Sequence, residues 1–290
     1  MHARAVAAST TALLGTAALL VPVSPARAAG GATSPLVIAH RGASAYAPEN
    51  TLAAVDRAAE LGIRWVENDV QRTRDGELVV IHDDNLRRTT DAEEVFPGRA
   101  PWKVKDFTAA EIARLDAGSW FGPAHGGARV PTLEQFVHRL ERHHQKLLLE
   151  IKNPELYPGI ERQTLKVLSN EGWLDRSHLA GRLIVQSFSA DSVRTVHELK
   201  SGVKTGLLGT PAVSDLLDCA EFADQINPSY SSLSRAYVSS VQAFDGPHGR
   251  PMEVFAWTVD DARTAQRVAG YGVDGIITNK PDVVRKAVGG

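Results

Sequence analysis

Apolar and polar positions along the chain follow two periodicities in alternation. Short apolar runs typical of buried strands are separated by segments in which apolar residues recur every three to four positions, as in amphipathic helices. The strand-like runs are LVIAH (36–40), RWVENDV (64–70), LVVIH (78–82), KLLLEIK (146–152), RLIVQSF (182–188), VKTGLLG (203–209), FADQINP (222–228), EVFAWTV (253–259) and DGIITN (274–279). Strands alternating with helices in this way predict a parallel α/β sheet.

One of these runs does not belong to the parallel series. The dipeptide Asp75-Gly76 separates 64–70 from 78–82 by a short turn, which predicts a β-hairpin and an antiparallel strand at 78–82. Eight βα units remain when this strand is set aside, and the predicted fold class is therefore an α/β (β/α)8 TIM barrel with an added hairpin strand. The alternative is an open doubly wound sheet, but no glycine-rich GxGxxG turn follows any of the strands.

The regular alternation is interrupted between about residues 84 and 130. This stretch is rich in charged residues, proline and glycine, and only 109–115 has a helical pattern. In a barrel it would form a short insertion over the C-terminal face, where such enzymes carry their active sites. We expect residues 35–290 to form a single barrel domain that includes this insertion.

The first 28 residues differ from the rest of the chain. Arg4 precedes an apolar run at 11–21, and Ala26-Arg27-Ala28 supplies a small-x-small cleavage pattern. These features are typical of a secretory signal peptide, and the apolar run is shorter than the roughly 20 residues that a membrane-spanning helix needs. The sequence thus predicts a secreted protein without a stable membrane anchor.

Charge and cysteine content exclude several classes of function. The formal net charge of −2 gives no basic footprint for a nucleic acid, so no such partner is expected. The single cysteine, Cys219, rules out an intrachain disulfide and any Cys-rich zinc motif.

Polar side chains are concentrated where the strands end. Because alternate strand residues share a face, Glu67 and Asp69 point the same way, as do Glu150 and Lys152. Three carboxylates at one barrel mouth would repel one another without a cation, and an all-oxygen set suits Mg²⁺ or Ca²⁺. The full candidate set is His40, Arg41, Glu67, Asp69, His82, Glu150, Lys152, Phe188 and Trp257.

Each member of this set also has a more ordinary interpretation. His40 and His82 could be zinc ligands, although two further nitrogen or sulfur ligands are not evident. Lys152 could merely pair with Glu150, and Trp257 could be a core residue.

The motifs around these residues resemble the glycerophosphodiester phosphodiesterase family over nearly the whole of residues 36–290. The matching segments are HRG…PENT (40–51), ENDV (67–70), VVIHDDNLRRTT (79–90), LEIK (149–152), QSF (186–188), AWTVD (256–260) and GVDGIITNKPD (272–282). The resemblance implies metal-dependent hydrolysis of glycerophosphodiesters to sn-glycerol 3-phosphate and an alcohol. The partner would be a small-molecule substrate and the cofactor one divalent ion, Ca²⁺ or Mg²⁺.

The resemblance also implies a role for each candidate residue. The carboxylates Glu67, Asp69 and Glu150 match the metal ligands, and His40 and His82 match the acid–base pair. Arg41 and Lys152 match the phosphate contacts, and Trp257 and Phe188 match the apolar wall of the glycerol pocket. Gly42 is interpreted as leaving room for the substrate.

Two other functions stay open on the sequence. One is a phospholipase C- or D-like enzyme acting on lysolipids or on glycerophosphate polymers of cell walls. The other is a non-catalytic barrel that binds glycerophosphodiesters, which would be expected to have lost one of the catalytic positions.

Overall fold

The computed structural model describes residues 34–289, and in that range every strand overlaps an apolar run of the sequence. The signal-peptide prediction lies outside the described residues and stays a prediction. The strands are β1 (Leu36–Ala39), β2 (Trp65–Arg72), β3 (Leu78–Val80), β4 (Lys146–Ile151), β5 (Leu183–Ser187), β6 (Lys204–Leu208), β7 (Gln225–Asn227), β8 (Glu253–Ala256) and β9 (Gly275–Thr278).

Helices follow the strands and cover the outside of the sheet. The α-helices are α1 (Leu52–Glu60), α2 (Ala92–Val95), α3 (Ala109–Ile112), α4 (Leu133–Arg142), α5 (Ile160–Asn170), α6 (Arg176–Leu179), α7 (Ala190–Leu199), α8 (Leu216–Cys219), α9 (Arg235–Val241), α10 (Ala262–Ala269) and α11 (Pro281–Ala287). Short 3₁₀ helices occupy Val104–Asp106, Pro123–His125, Pro154–Leu156, Val213–Asp215 and Tyr230–Ser232. Among the described residues, no helix combines the length and the apolar character needed to cross a membrane.

The sheet closes into the predicted barrel. β1 pairs in parallel with β2 on one side and with β9 on the other, so Ile38 lies opposite both Trp65 and Ile277. The remaining parallel strands follow in the order β8, β7, β6, β5 and β4 back to β2. The hairpin prediction is also confirmed, because β3 runs antiparallel to β2 with Val80 opposite Val70.

Strand parity divides the apolar residues between two layers. The inward residues form a cluster at the lower end of the barrel, made of Ile38, Trp65, Leu148, Ile184, Phe255 and Ile277. Outward residues such as Val66, Leu149 and Val254 pack beneath the helices in two larger clusters. Two residues further along the strands the inward side chains become polar, as in the step from Trp65 to Glu67 and from Leu148 to Glu150. These positions contribute to the candidate site.

The segment 84–130 contains more helical structure than its sequence pattern predicted. Besides the expected α3, it contains α2 and two 3₁₀ helices. Leu86, Phe107 and Leu115 are fully buried in a separate apolar cluster that includes Val79 of β3. The insertion is thus packed onto the hairpin, and its apolar positions were too widely spaced to show a periodicity.

The first helix begins later than the sequence pattern indicated. The pattern predicted a helix from Pro48, but α1 starts at Leu52 because Asn50 has a left-handed backbone with φ of 60°. Thr51 is the N-cap, and its side chain accepts a hydrogen bond from the backbone N–H of Ala54. This delay leaves Glu49 and Asn50 in a loop that reaches the barrel mouth.

Candidate active site

A cavity of about 110 Å³ lies at the C-terminal ends of the barrel strands. It is lined by His40, Arg41, Glu67, His82, Glu150, Lys152, Gln186, Phe188, Leu208, Trp257, Thr258 and Ile277. The structure therefore brings all of the predicted site residues except Asp69 to one cavity. Asp69 is buried beside Glu67 and Glu150, in direct contact with that group.

The three carboxylates form a compact cluster. Glu67, Asp69 and Glu150 each offer an oxygen atom, and these atoms lie within 4.8 Å of one another. Their side chains are almost completely buried. Within the described part of the chain, Glu67 Oε1 and Asp69 Oδ1 have no hydrogen-bond partner. Buried carboxylate oxygens that converge without donors fit a hard divalent cation, which takes oxygen ligands.

The electrostatics of the cluster show the same need for a cation. Burial and the charges of Asp69 and Glu150 raise the pKa of Glu67 well above its usual value. Burial, and the charge of Asp69, raises the pKa of Glu150 to about 7. Burial also acts to raise the pKa of Asp69, but Arg41 and Lys152 outweigh it and the pKa is lowered. Ionising all three carboxyl groups together is therefore unfavourable in free energy unless a further positive charge is present.

Two cations border the carboxylates. Arg41 Nε lies 3.3 Å from Asp69 Oδ2, and its Nη1 donates to Glu49 Oε1 at 2.9 Å. Lys152 Nζ lies 2.8 Å from Glu150 Oε1 and 3.9 Å from Asp69 Oδ1. The pairing of Lys152 with Glu150 is therefore real, but the side chain also lines the cavity and remains available to an anion there.

The loop before α1 holds Asp69 in place. Asn50 Nδ2 donates to Asp69 Oδ2 at 2.8 Å, and Asn50 Oδ1 accepts from the backbone N–H of Asp69 at 3.3 Å. Both contacts are buried, so Asn50 leaves only one oxygen of this carboxylate open to the cluster. The PENT segment of the sequence thus acts on the site through Asn50.

The orientation of His40 is set by residues near the end of the chain. Asn279 Nδ2 donates to Asp260 Oδ2 at 2.7 Å, which leaves Asn279 Oδ1 to accept from His40 Nδ1 at 2.7 Å. His40 Nε2 is then the unprotonated nitrogen of the neutral ring and lies 4.0 Å from Glu67 Oε2. Burial, and the positive charge of Arg41, lowers the pKa of His40 to about 4.

His82 has a partner of opposite character. Its Nδ1 lies 2.7 Å from Asp83 Oδ1, and a carboxylate can only accept, so Nε2 is again the nitrogen turned away from the partner. Gln71 Nε2 donates to the backbone oxygen of His82 at 2.9 Å, which fixes the chain just after β3. Neither histidine has two further nitrogen or sulfur ligands beside it in the described residues, so the zinc alternative gains no support.

The apolar side of the cavity consists of two aromatic rings. Phe188 and Trp257 meet edge to face with centroids 5.6 Å apart, and Trp257 Nε1 donates to the backbone oxygen of Asn227 at 2.7 Å. The Trp257 ring lines the cavity and also borders the inward apolar cluster. Phe188 is 54% exposed, which places it at the rim rather than inside.

The interpretation of Gly42 as leaving room for the substrate is wrong. Gly42 has φ of +80°, and a Cβ added to it would come within 2.5 Å of Ala54 Cβ in α1. The glycine therefore permits the turn after β1 and its close approach to α1, and makes no room for a substrate.

Sequence reasoning missed the residues that orient the histidines. Asp83, Asp260 and Asn279 lie within the motifs quoted for the resemblance, but no role was assigned to them. One signal was available for Asn279, because it continues the inward row of Ile277 and so points towards the mouth. The contact between His40 and Asn279 spans 239 positions and has no local signature.

The chain is similar to one family of known proteins. Residues 40–283 match the model of the glycerophosphoryl diester phosphodiesterase family. The chain is 34% identical over 285 residues to a glycerophosphodiester phosphodiesterase of Bacillus subtilis, covering 92% of each sequence. It is 38% identical over 252 residues to the glycerophosphodiester phosphodiesterase of Caldanaerobacter subterraneus, covering 86% of this chain and 96% of the relative.

Among solved structures, a phosphodiesterase of Oleispira antarctica superposes with a TM-score of 0.76 at 28% identity, covering 89% of this chain and 98% of that one. That structure is a complex with the product sn-glycerol-3-phosphate.

Proposed function

The chain belongs to the glycerophosphoryl diester phosphodiesterase family, and from that premise we propose that it hydrolyses glycerophosphodiesters to sn-glycerol 3-phosphate and an alcohol with one divalent metal ion, Ca²⁺ or Mg²⁺. One observation carries the proposal. A buried cluster of three carboxylates lies beside two cations and two histidines at a single small cavity.

The residues that line the cavity suit a phosphodiester. A diester carries one negative charge and gains more as a nucleophile attacks. Arg41 can contact two phosphate oxygens through its planar guanidinium, and Lys152 adds a compact positive charge from the end of β4.

The carboxylates would hold the metal ion. Glu67, Asp69 and Glu150 would supply its protein ligands. Among the described residues, Glu67 Oε1 and Asp69 Oδ1 lack a hydrogen-bond partner, which supports that assignment. When bound, the ion would neutralise charge on the phosphoryl oxygens and on the cluster itself.

The two histidines would move the protons. Hydrolysis requires that the nucleophile, either water or the free glycerol hydroxyl, loses a proton and that the leaving alcohol gains one. His40 and His82 both line the cavity and both have Nδ1 engaged, so each has Nε2 available for one of these transfers.

The size and lining of the cavity support recognition of the glycerol side. The cavity is small, and it offers cationic side chains for a phosphate together with Trp257 as an apolar wall for glycerol. A larger alcohol group would extend past the exposed ring of Phe188. Glycerophosphocholine and glycerophosphoethanolamine should therefore differ little in rate.

The proposal is tested with a panel of glycerophosphodiesters after treatment with EDTA. We expect no turnover in chelator, restored turnover with Ca²⁺ or Mg²⁺, and sn-glycerol 3-phosphate as the product identified by phosphorus NMR. Bis(p-nitrophenyl) phosphate, which has no glycerol, should react much more slowly. Full activity in excess chelator would exclude the metal, and a cyclic phosphate as the final product would favour a lyase of the phospholipase type.

Matched variants separate the metal site from general effects of charge. Glu67→Gln and Glu150→Gln should weaken metal binding and abolish most activity while the fold is retained. Glu134→Gln is the control, because Glu134 belongs to an exposed acidic group with His138 and Glu171 on the outer surface. Equal losses in all three variants would contradict the assignment.

A further inference from the structure

Arg88 joins the two sides of the candidate site. It lies in the insertion after β3 and its side chain is 44% exposed, yet it makes four hydrogen bonds to two carboxylates. Neither carboxylate belongs to the metal cluster. Each of them instead contacts a residue that lines the cavity.

The first carboxylate is the partner of His82. Arg88 Nε donates to Asp83 Oδ2 at 2.8 Å and Arg88 Nη2 donates to Asp83 Oδ1 at 2.9 Å. Asp83 Oδ1 in turn lies 2.7 Å from His82 Nδ1. The guanidinium thus fixes the plane of the carboxylate that sets the tautomer and direction of the His82 ring.

The second carboxylate is the partner of Arg41. Arg88 Nη1 donates to Glu49 Oε2 and Arg88 Nη2 to Glu49 Oε1, both at 2.8 Å. Glu49 Oε1 also accepts from Arg41 Nη1 at 2.9 Å. Glu49 is only 13% exposed, so this bridge is held between the loop before α1 and the insertion.

Charge explains why an arginine stands between them. Hydrogen bonds from Arg88 lower the pKa of Asp83, and Arg88 and Arg41 lower the pKa of Glu49 against the effect of burial. The same Nη2 donates to both carboxylates, so without Arg88 two negative groups would face each other. A lysine offers one nitrogen and cannot form two forked bridges at once.

We propose that Arg88 is a positioning residue that couples the orientation of His82 to that of Arg41 through Asp83 and Glu49. This inference rests on the proposed function, in which His82 transfers a proton and Arg41 binds the phosphate. One guanidinium binds both Asp83 and Glu49. The distance between His82 and Arg41 is therefore set by a residue that does not touch the substrate.

The test compares Arg88→Met and Arg88→Lys with Arg87→Met. Arg87 is the matched control, since it pairs with Glu93 on the surface and with neither Asp83 nor Glu49. We measure kcat and KM on glycerophosphocholine and on glycerol phosphate p-nitrophenyl ester, and the melting temperature of each variant.

We expect Arg88→Met and Arg88→Lys to lower kcat on glycerophosphocholine by about 10- to 100-fold, the usual effect of losing an orienting partner. We take His82 as the proton donor to the leaving alcohol, because it is paired with a carboxylate. The loss in kcat should then be smaller on the p-nitrophenyl ester, because p-nitrophenol leaves without a proton donor. KM should rise for both esters, because Glu49 would no longer hold Arg41 in its orientation. Arg87→Met should match the wild type.

Three results would overturn the inference. One is wild-type kinetics in Arg88→Met, and another is full rescue by Arg88→Lys, which would reduce the role to one of charge. The third is an equal loss on both esters with a lowered melting temperature, which would indicate a purely structural role. An inactive wild type would instead refute the proposed function, and the inference with it.

Discussion

His40 and His82 present the same ring nitrogen to the cavity but have partners of different charge. His40 Nδ1 donates to the neutral amide of Asn279, and Arg41 lies beside it in the chain. His82 Nδ1 is paired with the carboxylate of Asp83. A carboxylate stabilises an imidazolium, whereas an amide next to an arginine favours the neutral ring. We therefore propose that His82 is the proton donor and His40 the acceptor.

This assignment predicts different responses to the leaving group. His40→Ala and His82→Ala should each lower kcat on glycerophosphocholine by about 10²- to 10⁴-fold, the usual contribution of a positioned acid or base. On the p-nitrophenyl ester, whose leaving group needs no proton, His82→Ala should recover much of its rate and His40→Ala should not. Steady-state kinetics on the two esters measure this.

The control is His144→Ala, which changes an exposed histidine in the turn between α4 and β4, where the strands begin rather than end. The pH–rate curve of the wild type should be bell-shaped, with both limbs belonging to the pair. If the recovery appears in His40→Ala, the roles are reversed. If it appears in neither variant, the histidines act mainly in binding.

At this scale the sequence predicted the members of the site better than their partners. Strand parity is local, so the inward direction of Glu67, Asp69 and Glu150 could be read from neighbouring residues. The contacts of Asn279 with His40 and of Arg88 with Glu49 join distant segments. Such contacts depend on loop conformations that no periodicity describes.

At the scale of elements, the turn from β1 into α1 places much of the site. Arg41 and Gly42 both have a left-handed backbone, and the Arg41 N–H donates to Glu67 Oε2 at 2.8 Å. The chain then doubles back so that Asn50 N donates to Arg41 O at 2.9 Å. This turn is possible only if Gly42 lies against Ala54 without a side chain.

We expect Gly42→Ala to lower the free energy of unfolding by about 2–5 kcal/mol. The left-handed backbone costs about 1–2 kcal/mol and the overlap with Ala54 adds about 1–3 kcal/mol. Gly76→Ala is the control, since Gly76 has φ of +91° but nothing within 4 Å of an added Cβ. It should lose only the backbone part, measured by denaturant unfolding. Equal losses would show that packing against Ala54 costs nothing.

Elements with a strong periodicity were predicted, and those without one were not. The eight-stranded parallel barrel and the hairpin followed from apolar runs and from Asp75-Gly76. The pattern placed the strand around 225 at 222–228, but the structure limits it to β7, Gln225–Asn227. Pro228 has no N–H for the ladder, which explains the end of that strand. The order of the insertion depends on its packing against β3 and could not be read from its own sequence.

At the scale of the whole molecule, the barrel concentrates buried negative charge at one end. This charge opposes folding unless protons or a cation neutralise it. Glu150 has a pKa of about 7 against the ordinary 4.5, and the pKa of Glu67 is raised as well. In the metal-free protein the folded state therefore retains protons that the unfolded state releases above about pH 4.5.

The sign of the pH dependence follows from this difference. A raised carboxyl pKa gives stability that is complete below the unfolded pKa and is lost as the pH rises through the folded pKa. In EDTA, the stability that Glu150 contributes should thus be lost between about pH 4.5 and 7. The raised pKa of Glu67 extends this loss towards higher pH. The lowered pKa of Asp69 acts below this window. His40 acts within it and in the opposite direction, because burial lowers its pKa from 6.5 to about 4, so its contribution to stability grows as the pH rises between these values.

We therefore expect the titration of Glu150 to lower the melting temperature in EDTA by roughly 5–10 °C between about pH 5 and pH 8, set against the opposite contribution of His40, because a shift of two to three pKa units corresponds to about 3 kcal/mol. Glu150→Gln should lack this loss, since glutamine has no proton to lose, so its melting temperature should rise relative to that of the wild type as the pH increases. Saturating Ca²⁺ or Mg²⁺ should raise the melting temperature more at pH 8 than at pH 5, because the ion competes with protons for the same carboxylates. Scanning fluorimetry across the pH range measures all three effects. Parallel curves for the wild type and Glu150→Gln would mean that the cluster does not titrate, and the carboxylates would then be held ionised by Arg41 and Lys152 alone.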